Sequence, residues 1–192
     1  PIGSRGLGDV YKRQVSNLID LLRFQAGVDI RRQGIEGSQA DIYLRGGTFD
    51  QVLVLIDGIR VDDPQTGHHT MNSAIPLEVI ERIEIVKGPA ARIYGQNAFT
   101  GAINIVTKKG SKSSTTFTAR HGSYNTSEVG VTAQENNEKE QHVFHVSKLL
   151  SDGYRYNTDL DNLHLFTHSS FGASNTIKLI TMFNERKFGA NG

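Results

Sequence analysis

The sequence predicts an α/β or α+β domain over roughly residues 15–109, followed by a run of long antiparallel strands. Three observations point there. Between Ile42 and Lys108, short apolar runs (IYL, VLVLI, IEIV, AINIV) are joined by glycines and polar turns instead of long helices. From Thr115 onward, polar and apolar residues alternate in strand-length segments separated by turn residues. Twenty glycines against four prolines suit a turn-rich β or α+β chain better than a helical bundle.

The elements follow in order. Ser16 or Asn17 can cap a helix whose Leu18, Leu21 and Leu22 share one face, and Gly27 supplies a left-handed stop. Val28 to Ile30 is a short strand, and Arg32 to Gln39 a polar loop. Asp41 to Arg45 alternates, with Ile42 and Leu44 on one side, and Gly46-Gly47 ends it. Val52 to Ile56 is apolar throughout, as expected of a strand buried on both faces. Asp57-Gly58 is the preferred pair for a type I′ turn, and Ile59 to Val61 returns from it. Asp62 to Ser73 is a polar loop, and Pro76 opens a short helix containing Leu77, Val79 and Ile80. Arg82 to Val86 is a strand closed by Lys87-Gly88-Pro89. A helical turn over Ala90 to Tyr94 then leads to a last strand, Ala102 to Thr107. Past a Ser/Lys linker at Gly110 to Ser114, strands are expected at Thr116 to His121, Glu128 to Gln134, His142 to Leu150, Asn162 to Ser169 and Thr176 to Glu185. That periodicity fits a membrane β-barrel and a soluble sandwich alike.

Bulk properties exclude several classes. A net charge of +1, with only a short basic patch at Lys108, Lys109 and Lys112, argues against nucleic acid as a partner. With no cysteine there is no disulfide framework and no thiolate metal site, which suits a bacterial envelope protein. The longest apolar run, Val52 to Ile56, is far below the roughly 20 residues a membrane-crossing helix needs. Any membrane must therefore be crossed by strands. Pro1 to Gln14 shows neither periodicity nor a signal sequence and reads as a non-native or disordered segment. The chain has no initiating Met and stops at Gly192 within an alternating pattern, so both ends read as truncated.

Four ordered segments carry a resemblance: IYLRGG, VLVLIDGIRV, PLEVIERIEIVKGPAARIYG and GAINIVTK. Together they resemble the plug domain of TonB-dependent outer-membrane receptors. LLRFQAGVDI and HHTMNSAIPLEVIERIEIVKGPAARIYG are most similar to the vitamin B12 (cobalamin) receptors of that family. The resemblance implies an α+β plug domain over 15–109, a linker over 110–114, and the first strands of an antiparallel transmembrane β-barrel, incomplete here, over 115–192. It implies a Gram-negative outer-membrane receptor whose barrel of about 22 strands is filled by the plug. Such receptors capture a scarce, large solute and import it when TonB, with its inner-membrane energising complex, pulls on a short N-terminal segment and rearranges the plug. Cobalamin is the implied solute, with a ferric siderophore or haem as alternatives, or binding and signalling without import. The implied surroundings are outer-membrane lipid.

Residue roles implied by the resemblance are specific. Arg45 of LRGG and Lys87 of VKGP stand where plug cations pair with acidic residues of the barrel wall. Lysine at the second position loses the bidentate pairing that arginine gives. Gln39, Asp41, Thr48, Thr66 and Gly67 stand where cobalamin receptors touch solute; all but Thr48 lie in the two candidate loops, Gln33 to Asp41 and Asp62 to Thr70. His68 and His69 lie in the second loop. As adjacent residues of an extended loop they point apart and are poor joint metal ligands. His164 and His168 are roughly 13 Å apart along a strand, too far for one ion. Asp152, Asp159 and Asp161 are candidate Ca²⁺ ligands in a barrel loop, with a solvated acidic loop as the plain alternative. No other cofactor is expected. No Ser/His/Asp, paired-carboxylate or metal constellation at usable spacing suggests an enzyme. Tyr124, Tyr154, Tyr156 and Phe188 fall near strand ends, where a barrel carries its aromatic girdle.

Overall fold

A computed structural model describes residues 18–25, 27–32, 40–61, 75–88, 98–108, 113–137, 139–172 and 177–189. The chain divides into two compact units that part between Thr107 and Lys108.

The first unit opens with helix α1 (Leu18–Arg23), whose Leu18, Ile19, Leu21 and Leu22 are all buried. Gly27, at φ +79°, ends it in the left-handed region as expected. Strands β1 (Val28–Arg32) and β2 (Ala40–Leu44) form an antiparallel pair in which Arg31 lies opposite Asp41. A second sheet has the order β4-β3-β6-β5, from β3 (Val52–Ile56), β4 (Ile59–Arg60), β5 (Ile80–Lys87) and β6 (Gly101–Thr107). The β3–β6 pair is parallel and its neighbours antiparallel, so the sheet is mixed. All five residues of β3 are buried. Leu53 and Leu55 pack with Ala98, Ala102 and Val86. The helix expected after Pro76 shrinks to a 3-10 turn, Leu77–Val79, because Ile80 already joins β5 and its register with Thr107. The expected turn over Ala90 to Tyr94 lies outside the described residues.

The Asp57-Gly58 turn takes the expected type I′ shape, with φ +50° and +81°. Its side-chain anchoring is extensive. Asp57 accepts hydrogen bonds from the Thr107 backbone N–H at 3.0 Å and from the Thr107 hydroxyl at 2.5 Å. The Gly58 N–H donates to Asn104 Oδ1 at 3.0 Å, while Asn104 Nδ2 donates to Glu84 Oε2 at 2.9 Å. Glu84 Oε1 in turn accepts from Arg82 Nε at 2.9 Å. One amide thus ties the turn, β6 and β5 together. Gly101 is a point of close approach. A Cβ there would strike Leu44 Cδ2 and the Val86 carbonyl.

The second unit is one antiparallel sheet in the order β11-β10-β9-β8-β7. Its strands are β7 (Ser114–His121), β8 (Ser127–Asn136), β9 (Glu140–Ser151), β10 (Leu160–Phe171) and β11 (Ile177–Phe188). Register sorts the side chains into two faces. On one face Phe117, Val131, Val146, Leu165 and Phe183 form a row across all five strands. Phe117, Val129, Phe144, Leu150, Ile177, Leu179 and Phe183 are exposed on that face. On the other face Thr132, His145, Phe166 and Met182 form a row, flanked by Gly130, Ser147, His164 and Asn184. Exposed apolar and enclosed polar faces are the inverse of a water-soluble sandwich and the rule for a barrel in lipid. Lys148 and Asp161 make an ion pair near one edge of the apolar face. Among the described residues no helix is long and apolar enough to cross a membrane.

Two predictions follow from the first unit. Gly101→Ala is expected to cost about 1–3 kcal/mol through overpacking, whereas Gly46→Ala, with open space around it, meets only backbone strain. Amide hydrogen exchange across β3, β5 and β6 checks the contrast. For Glu84, the Asn104 hydrogen bond holds the carboxyl below its ordinary pKa of 4.5, burial opposes it, and the Arg82 guanidinium adds to the lowering. A depressed folded pKa means the stabilisation is complete above about pH 4.5 and is lost as pH falls through the folded value. The stability gap between wild type and Glu84→Gln, about 0.5–1 kcal/mol for so exposed a group, should therefore be flat near neutrality. It should close on acidification, as denaturant titrations at several pH values will show.

Candidate functional site

The LRGG segment builds the corner where the expected plug cations sit. Arg45 and Gly46 have φ of +53° and +79°, and the Gly47 N–H donates to the Leu44 carbonyl at 3.0 Å, closing a type I′ turn. A left-handed arginine costs about 1–2 kcal/mol, so the turn is held against its own preference. Gly47 serves a different end from Gly46. A Cβ at 47 would collide with the Thr100 side chain and approach Gln51 Oε1 to 2.9 Å. Thr48 follows, exposed, its carbonyl accepting from the Gln51 N–H at 3.0 Å over the short 3-10 helix Phe49–Gln51.

The second cation arrives from the far end of β5. Gly88, at φ +106°, turns the chain after Lys87 and donates its N–H to the Thr100 carbonyl at 2.8 Å. The Arg45 N–H meanwhile donates to the Gly27 carbonyl at 3.0 Å. A Cβ at Gly27 would lie 4.0 Å from both Arg45 Cγ and Lys87 Nζ, and one at Gly88 would lie 3.7 Å from Arg45 Nη1. Two exposed cations from motifs some forty residues apart in sequence therefore share one small area, floored by two glycines. Such an area is suited to meeting carboxylates.

The expected solute-contacting residues are placed less completely. Asp41 is buried on β2, where it faces Arg31 across the strand pair, and Thr48 is exposed beside the LRGG turn. Gln39, Thr66, Gly67, His68 and His69 lie outside the described residues. Arg31 also stands over the Tyr43 ring at 4.6 Å from its centroid, a cation–π contact that needs the β1–β2 register to be seen. Asp152 and Asp159 flank the β9–β10 connection. The Asp152 N–H donates to the Tyr124 carbonyl at 3.0 Å, and the Asp159 carbonyl accepts from the Gly189 N–H at 2.9 Å. Asp161 is already on β10 and paired with Lys148, so a cation there would have to displace an ammonium. Among the described residues no group of three or more His, Cys, Asp or Glu side chains is arranged to hold a metal ion. At the same end of the sheet, Tyr124 and Asn125 form a left-handed turn (φ +57° and +53°), and the Tyr124 and Tyr154 rings meet edge-on at 6.3 Å.

Residues 8–102 match the family model for the TonB-dependent receptor plug domain. With the antiparallel two-faced sheet that follows, the chain belongs to the TonB-dependent receptors, proteins of the Gram-negative outer membrane. It is 40% identical over 124 residues to a protein of Vibrio cholerae serotype O1 named vitamin B12 transporter BtuB, covering 64% of this chain and 20% of that one. A protein of the same name from Vibrio vulnificus is 34% identical over 99 residues, 52% of this chain and 16% of its own length. The chain thus spans about a fifth of the curated relatives it matches. Among solved structures, the copper transporter OprC superposes with a TM-score of 0.74 at 18% identity, covering 91% of this chain and 29% of that one. The siderophore receptor PirA of Acinetobacter baumannii gives 0.68 at 21% identity, covering 96% and 31%. These two show the fold.

The strain at Arg45 yields a prediction. Arg45→Asn, a residue that tolerates the left-handed region, is expected to keep the turn, with stability unchanged or raised by up to about 1 kcal/mol. Arg45→Val, β-branched, should instead lower it. Thermal unfolding of the two variants against wild type distinguishes a turn set by backbone geometry from one set by the guanidinium.

Proposed function

We propose that the complete protein binds a scarce, large solute at the outer face of the outer membrane and imports it with energy delivered through TonB. Cobalamin is the solute this reading names. The observation that carries it is the 40% identity over 124 residues to proteins named vitamin B12 transporters, which reaches from the plug into the strands that follow. No covalent chemistry is asked of the protein, and the relatives named are transporters and receptors. In this reading Asp41, Thr48 and the loops 33–41 and 62–70 belong to the solute-facing side. Arg45 and Lys87 meet carboxylates of the barrel wall and hold the plug until force is applied. Calcium binding at the Asp152–Asp161 connection would require Asp161 to leave Lys148.

A ferric siderophore is the second reading, because a solved relative is titled a siderophore receptor. That likeness supports the architecture more than the solute. Binding of labelled cobalamin, ferric siderophores and haem to the full-length receptor in detergent separates them. Saturable cobalamin binding that excess siderophore does not displace is expected. Siderophore binding alone would replace the solute and keep the mechanism, and binding of none would overturn the reading. Arg45→Asn combined with Lys87→Gln should leave solute binding intact and change TonB-dependent uptake in cells, since the pair is assigned to the plug's attachment and not to the solute.

A further inference from the structure

The apolar face of the second unit ends, toward the β8–β9 turn, in a polar cluster built around His142. Glu135 on β8 and Ser169 on β10 both lie opposite His142 on β9, and Phe171 lies opposite Glu140. Alternation puts these side chains on the same face as Phe144 and Val146. The His142 ring is held from three directions. Its Nδ1 is 3.0 Å from the Ser169 hydroxyl, its Nε2 is 3.6 Å from the Glu140 carboxylate, and the Phe171 ring meets it edge-on with centroids 5.3 Å apart. Beside it lies a groove of about 510 Å³, lined by Thr115, Ala133, Glu135, His142 and Phe144, with Ser113 from the start of β7. One part of that lining continues the apolar face, and the other carries a carboxylate and hydroxyls. Connection lengths say which leaflet this end meets. Residues 137–139 join β8 to β9 and 172–176 join β10 to β11, a shorter pair than 122–126 and 152–159 at the other end. Short turns of an outer-membrane barrel face the periplasm. The groove therefore opens at the headgroup layer of the periplasmic leaflet, which is built of phospholipid.

We propose that this groove binds one phospholipid whose headgroup carries a primary ammonium, as phosphatidylethanolamine does. The ammonium N–H groups donate to the carboxylates of Glu135 and Glu140, a charge-assisted pairing stronger than one between neutral groups. His142, fixed by Ser169 and Phe171, positions the Glu140 carboxylate. The Ser113 and Thr115 hydroxyls donate to the phosphate, and an acyl chain lies along Ala133 and Phe144 toward Val131. Charge complementarity selects the headgroup. A choline headgroup has no N–H to donate, and a glycerol headgroup leaves a net negative phosphate facing two carboxylates. The groove is also continuous with a face that already meets hydrocarbon, so a lipid reaches it without leaving the bilayer. This site lies apart from the solute loops and from the Arg45 and Lys87 motifs in the sequence. It rests on the outer-membrane placement of the chain and not on the identity of the solute.

The test uses the full-length receptor in phosphatidylcholine bilayers, without solute. Phosphatidylethanolamine, phosphatidylcholine and phosphatidylglycerol probes, each with the same photoactivatable acyl chain, are added in trace amount, and cross-links are mapped by peptide mass spectrometry. Phosphatidylethanolamine is expected to label residues 113–119 and 140–147 about three to five times more than either other lipid, the factor one exposed ion pair supplies. Glu135→Gln combined with Glu140→Gln should bring the three lipids to equal labelling. Glu185→Gln, on the same face at the opposite end of the sheet, should leave the preference unchanged. Equal labelling of the wild type by all three lipids, stronger labelling by either other lipid, or a preference that survives the double substitution would overturn the proposal. The wild-type order decides the matter even if the double variant fails to fold. Because no solute takes part, failure here leaves the uptake reading untouched.

Discussion

The alternation of side chains along β7 to β11 is the constraint on which the rest depends. Five strands paired in strict antiparallel register send every second residue to the same face, with no freedom to correct a misplaced one. In water this sheet would be unacceptable, because it exposes Phe117, Ile177, Leu179 and Phe183 while enclosing Thr132, His145, His164 and His168. In lipid the same arrangement is favourable, since apolar side chains meet hydrocarbon and polar ones line the interior. The Lys148–Asp161 pair on the apolar face is tolerable near the strand ends, where a charge costs roughly 0–1 kcal/mol instead of 2–4 at the midplane.

The first unit obeys a different logic. Its β3 is buried on both faces and lies parallel to β6 across a long connection, so it depends on side-chain ties between distant residues. Asn104 is the centre of these, receiving Gly58 on one side and donating to Glu84 on the other. The missing Cβ at Gly101 leaves room for the Leu44 side chain and the Val86 carbonyl. These contacts fix where β2 and β5 end, and therefore where Arg45 and Lys87 emerge together. Rigid placement of two like charges side by side is costly by itself. It is reasonable where carboxylates are to be met.

Much of this was legible in the sequence, and the reasons are specific. Val52 to Ile56 and Asp57-Gly58 declare a buried strand and its turn through composition alone, and both stand where expected. The long strands stand where the alternation puts them, and backbone pairing carries most of their ends one to three residues further, as at Leu160, Phe171 and Phe188. What the sequence hides is anything that depends on register between strands. Arg31 over Tyr43, Asn104 between Gly58 and Glu84, and His145 beside His164 join residues whose spacing in the chain carries no signal. The helix after Pro76 failed for a related reason. Pairing of Ile80 with β6 outweighs the local helical tendency.

The most direct test of the central claim is oxygen accessibility at spin labels placed one at a time along residues 143–150 of the full-length receptor in bilayers. Oxygen concentrates in hydrocarbon, so its access should rise and fall with a period of two, with maxima at Phe144, Val146 and Leu150. Water-soluble nickel reagents should show no maxima at those positions. A profile without that period, or with maxima at Val143, His145 and Ser147 instead, would contradict the account.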